Sequence, residues 1–174
     1  MRVIALSITL AVVAAACSAT ESNPPTGPTT APASVSTTVA PPTEPDIPHQ
    51  LVDLELREVS LGDRELLLAI ADSPGLRAAG LMGVEDLGDL DGMLFFWRHE
   101  ASIGFWMKNT LIPLDIVWFD ETGILVGRAS MVPCLESPCP KFVPGEGIDY
   151  RYAIEANPGD LDWVTEGTRI VYSD

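Results

Sequence analysis

The run Leu114–Phe119, LDIVWF, is apolar at every position but one. In an extended chain successive side chains point to opposite faces. Leu114, Ile116 and Trp118 then share one face, and Asp115, Val117 and Phe119 the other. A strand that is apolar on both faces needs cover on both. The segment just before it, FWMKNT at residues 105–110, reads the same way, with Trp106, Lys108 and Thr110 on one face and Phe105, Met107 and Asn109 on the other. Two such strands, joined at the bend of Ile112 and Pro113, are expected at the centre of a sheet that is covered twice.

The surrounding sequence supplies more strands at close spacing. Leu54 and Leu56 alternate with Glu55 and Arg57 ahead of an LGDR turn, and RELLLAIA follows, more apolar and so more buried, which reads as two strands. GMLFFW, ILVGRASMV, YRYAIEA and TRIVYS read as further strands, and DETG, with Gly123, as a hairpin turn. Ser73 and Pro74 form a helix start, a serine cap followed by proline in the first turn. A short helix of about two turns is expected from there, ending near Gly83, and NPGDLDWVTEG reads as a second helical piece. The expectation is a mainly β fold, a compact β-sandwich or barrel-like domain of about eight short strands with two short helices.

Only part of the chain can build that domain. Residues 1–16 carry one positive charge, Arg2, and then an uncharged run up to Ala16. The run is too short for a comfortable membrane span, which needs ~20 apolar residues. It reads as a secretory signal peptide. It ends in AAAC, which resembles a bacterial lipobox, so Cys17 is expected to be acylated and to become the mature N-terminus. Buried acyl methylenes anchor at ~0.8 kcal/mol each. Residues 17–48 then form a Pro/Thr-rich spacer with no aromatic residue, unable to bury enough surface to offset its ordering entropy. The globular domain is expected at residues 49–174. The protein is therefore expected at the cell membrane, lipid-anchored and facing the extracytoplasmic side.

Charge narrows the partners. The chain carries 25 Asp and Glu against 10 Lys and Arg, and all but Glu21, Glu44, Asp46 and Arg2 of these lie in the domain. Nucleic-acid binding shows the opposite footprint, so no nucleic acid is expected. The two cysteines of the domain, Cys134 and Cys139, stand in a Pro-rich loop, PCLESPCP. An exported context permits a disulfide between them. A zinc site lacks further ligands, since the domain's histidines are His49 and His99 alone. The acidic loop from Glu85 to Asp91 lacks the alternating ligand spacing of a calcium loop. No metal and no cofactor are expected.

The polar residues set among apolar ones are the candidate site. Lys108 is one of only two lysines in the chain, and it follows Phe105, Trp106 and Met107. Charges in apolar surroundings are normally paired. Lys108 and Asp115 are the obvious pair, and Glu155, in YAIEA, is a second acid between apolar residues. On one reading Lys108 and Asp115 form a salt bridge that fixes strand register. On the other, Trp106, Lys108, Asn109, Thr110, Asp115 and Glu155 line the mouth of a pocket for a polar small molecule. Asp115 and Glu155 as paired hydrolytic carboxylates are an alternative. An assembly factor that binds an envelope protein is another.

RAAGLMG, DGMLFFW, FWMKNTLIPLDIVWFD and YAIEANPGD resemble the successive motifs of domain of unknown function family 192. The resemblance covers roughly Glu65 to Tyr172. It implies a compact, mainly β fold, often in exported proteins, and no established activity. Within it, Arg77, Gly80, Leu81, Met82, Gly92, Met93, Trp106, Lys108, Asn109, Thr110, Pro113, Asp115 and Glu155 are motif positions. The leading expectation is a lipid-anchored binding or accessory module for a polar small molecule or cell-envelope saccharide.

Overall fold

The structure is a computed structural model and describes residues 44–173. The expected signal peptide, Cys17 and most of the spacer lie outside the described residues. Leu56–Leu61 forms β1 and Arg64–Ala71 forms β2, an antiparallel hairpin turned at Gly62, whose φ is +61°. Ser73 then caps α1, Pro74–Ala79, by accepting a hydrogen bond from the Leu76 N–H at 3.3 Å. After a loop comes β3, Gly92–Ala101, which pairs with β2 in parallel. β4 is Phe105–Trp106, β5 Leu114–Phe119 and β6 Leu125–Met131. β7 is Lys141–Phe142, β8 Tyr150–Ala156 and β9 Ile170–Val171.

Seven of these strands form one curled sheet in the order β6-β5-β8-β3-β2-β1-β9, and β4 and β7 form a separate two-stranded sheet. The ends of the large sheet meet beside its edge strands. Leu125 N–H donates to Thr168 O at 3.2 Å, and Ile170 N–H donates to Gly123 O at 2.9 Å. Gly123 has φ +81°, and a β-carbon there would stand 2.4 Å from Ile170 O, so only glycine allows the approach.

Curling gives the sheet two buried faces. Leu61, Leu68, Leu94, Val117 and Ile154 pack together on one. Ala69, Met93, Phe95, Ile116 and Trp118 pack on the other, beneath Leu81, Leu87 and Met107. Every residue of β5 is buried, as expected of a strand apolar on both sides.

Two expectations are corrected. There is one short helix among the described residues, not two. The segment 157–164 makes successive tight turns, with the Asp160, Asp162 and Val164 N–H groups each bonded three residues back. Its Pro, Gly and Asp residues favour turns over helix continuation. Second, FWMKNT is not a central strand. Only Phe105 and Trp106 are extended, in the small sheet. Thr110 N–H then closes a turn on Met107 O at 3.1 Å, and Asn109 sits at φ +56°. Asparagine tolerates that left-handed conformation better than most residues. Met107 enters the apolar core, at 0% exposure, and Thr110 is buried at 4%.

Candidate functional site

Glu155 is placed by backbone geometry. On β8 it stands opposite Met93 of β3 and Ile116 of β5. Cross-strand partners share a face, so its side chain lies on the face that α1 and the small sheet cover. Gly92 permits this packing, since a β-carbon there would stand 2.1 Å from Glu155 O. The Glu155 side chain is 4% exposed. It has no hydrogen-bond or ionic partner among the described residues. Burial pushes its pKa up to about 8, so the group is mainly a neutral acid at pH 7.

Above it opens a cavity of about 420 Å³. Four aromatic residues wall it: Phe95, Trp97, Phe105 and Trp106. Phe105 meets Phe95 edge-on at 5.0 Å between ring centroids and Trp97 at 6.0 Å, contacts that hold the rings in place. Arg77 and Lys141 also line it, as does Thr110. One Arg77 nitrogen, Nη1, donates to the backbone carbonyls of Asp72 and Phe96, and the guanidinium lies 5.1 Å from the Trp97 ring. Partial burial lowers the Arg77 pKa, opposed by Asp72 and Tyr150; arginine stays charged regardless. The neighbouring Tyr150 hydroxyl donates to Ile103 O at 2.6 Å, and burial raises its pKa.

The expected site residues are thus divided. Trp106, Thr110 and Glu155 line the cavity together. Lys108 is outside the lining, but its ammonium stands 5.2 Å from the centroid of the Trp106 ring. Asn109 is exposed at the adjoining turn. Asp115 is elsewhere. It stands opposite Ala156 on β8, one position along from Glu155 and so on the other face of the sheet. Asp115 Oδ2 accepts a hydrogen bond from Gly159 N–H at 2.8 Å, and its Oδ1 is buried without a partner.

Two consequences follow for the sequence readings. No Lys108–Asp115 salt bridge forms, because each residue is engaged elsewhere. Asp115 and Glu155 cannot attack one substrate from opposite sides, because a sheet separates them. Arg77, Trp97 and Lys141 were not singled out as site residues. Arg77 was a motif position, and Lys141 is the chain's second lysine; those were the available signals.

Cys134 and Cys139 form a disulfide, with Cα atoms 5.8 Å apart. The bridge closes the loop that buttresses the FWMKNT turn, since Asn109 N–H donates to Cys134 O and Cys134 N–H to Met107 O, each at 3.2 Å. In the acidic loop, carboxylates serve the backbone: Asp91 accepts from Leu67 N–H, Asp89 from Asp46 N–H and Asp86 from Gly88 N–H.

The fold and cavity define a small, mainly β domain in which a curled sheet carries an aromatic-walled pocket on one face. The chain belongs to domain of unknown function family 192, described as Uncharacterized ACR, whose pattern matches residues 57–172. No curated protein matches the chain. Among solved structures, a protein of Sinorhizobium meliloti 1021, called a "putative transcription regulator", is 25% identical, with a TM-score of 0.60 over 69% of this chain and 95% of its own. A protein of unknown function from Novosphingobium aromaticivorans DSM 12444 is 23% identical, with a TM-score of 0.60 over 75% of this chain and 94% of its own; that likeness shows the fold alone.

Proposed function

We propose that this domain is a binding module for a small, ring-shaped polar molecule of the kind found in cell-envelope saccharides. In this reading a lipid on Cys17 holds it at the extracytoplasmic face of a membrane, with residues 17–48 as the spacer. One observation carries the binding reading: four aromatic side chains surround a buried, unpartnered carboxyl group at an open cavity. That carboxyl opens on the cavity with no partner among the described residues, so a ligand hydroxyl would find a free hydrogen-bonding group there. Pockets of mostly apolar lining with a few aimed polar groups suit small-molecule recognition. The Cys134–Cys139 disulfide fits an oxidising compartment. The excess of acidic residues opposes contact with nucleic-acid phosphates, which disfavours nucleic-acid binding.

A thermal-shift panel of neutral, acidic and amino sugars tests this reading. A ligand at a hundred times its dissociation constant stabilises by ~2.7 kcal/mol, a rise of several degrees in melting temperature. Trp106→Ala should abolish that rise and leave the ligand-free protein nearly as stable, since Trp106 is 44% exposed. A panel in which no sugar moves the transition would sink the proposal.

A further inference from the structure

We infer that the cavity selects an anionic ring compound, a sugar that bears a carboxylate or a phosphate. This rests on the binding reading above and names the class of its ligand. The chain's only two lysines flank one indole. Trp106 pairs with Lys141 across the β4–β7 ladder, and Lys108 holds its ammonium over the Trp106 ring. Arg77 adds a third cation from α1. None of the three forms an ion pair with a carboxylate among the described residues, whereas Arg57 and Arg128 do. That is unusual company in a chain with 25 acidic and 10 basic residues.

Arg77, with Asp72 nearby but in no ion pair, and Lys141 line a concave, apolar-walled site and raise the positive potential there. The only acid in the lining is Glu155, which is mainly neutral at pH 7. Arg77 is fixed by Nη1 and Trp97, while its Nε and Nη2 have no partner among the described residues. Those two nitrogens form the side-on fork that grips carboxylate or phosphate oxygens in a bidentate manner. The aromatic walls would take the ring, and the Glu155 O–H would donate to a ligand oxygen. A cationic sugar would meet the two cations of the lining, Arg77 and Lys141.

The test titrates the purified full chain at pH 7 and low salt with glucuronate, glucose 6-phosphate, glucose and glucosamine, by calorimetry. Either anion should bind on the order of tenfold more tightly than glucose, and the preference should shrink at high salt, as screening requires. Lys141→Glu should erase the preference. Arg64→Glu, which makes the same charge change beside Trp163, should leave it intact. Whichever anion binds more tightly tells a carboxylate site from a phosphate site. Glucose or glucosamine binding as tightly as both anions would overturn the inference and leave the binding reading standing. Failure of all four to bind would overturn both. A preference that survives Lys141→Glu would overturn the cavity assignment, and one that falls equally with Lys141→Glu and Arg64→Glu would place the selectivity in overall charge and overturn it as well.

Discussion

Glu155 couples the cavity to the stability of the domain. Its pKa stands at about 8 in the folded chain against an ordinary 4.5, because burial disfavours the carboxylate. Between those values the folded state holds a proton that the unfolded state has released. Stability therefore falls as pH rises through that window and levels off above it. At about 1.4 kcal/mol per pKa unit, the loss is on the order of 3–5 kcal/mol. Glu155→Gln should match the parent near pH 4 and exceed it near pH 9 in urea midpoint. Equal pH slopes for both proteins would refute the assignment. Lys108 and Asp115 make a second residue-scale claim. Since they lie on different structural features, a double-mutant cycle of Lys108→Met and Asp115→Asn should give a coupling within ~0.5 kcal/mol of zero. A coupling of 2 kcal/mol or more, roughly the range for residues in contact, would mean that they meet.

At the scale of elements, the contact of β3 with β8 sets the site. Gly92 lies beside the backbone oxygen of Glu155 with no room for a β-carbon. Gly92→Ala must push the two strands apart at the residue that carries the acid. A cost of roughly 3 kcal/mol or more is expected, at the high end for single substitutions, read from chemical denaturation. Gly83→Ala is the comparison. Gly83 also has positive φ, at +76°, but nothing lies within 4 Å of its would-be β-carbon, so it should lose only the cost of backbone strain, of order 1–2 kcal/mol. If the two variants prove equally stable, close packing is not what demands glycine at position 92.

For the whole molecule, the curl of the sheet lets a domain of this size bury strands on both faces while one face stays open enough to hold a cavity. The proposed tether on Cys17, with residues 17–48 between it and the domain, would keep that cavity near a membrane. Cys17→Ala should then move the protein from the membrane fraction into the soluble fraction, followed by immunoblot. Retention of the variant on membranes would remove lipidation from the account.

The burial of LDIVWF and the strand identity of REVSL, RELLLAIA and YRYAIEA were legible from the sequence, because period-two patterning and turn residues are local properties. So were the Ser73–Pro74 helix start and the Cys134–Cys139 bridge, each fixed by neighbours a few residues away. FWMKNT misled for the same reason. Its composition is that of a buried strand, yet turn formation at Asn109 and contacts with Cys134 and Gly83 outweigh the strand pattern. The residues grouped from the sequence divide in space: Trp106, Thr110 and Glu155 line one cavity, while Asp115 lies on the other face of the sheet. Alternation within each strand is written in the sequence, but the register between β5 and β8 is not, and a shift of one residue would reverse which side Asp115 shares. The sequence alone determined the extended, buried character of LDIVWF, RELLLAIA and YRYAIEA. Tertiary structure decided which faces meet, because hydrogen-bond register, the glycine contact at position 92 and the curl of the sheet bring Arg77, Trp97, Lys141 and Glu155 around one cavity from four separate elements.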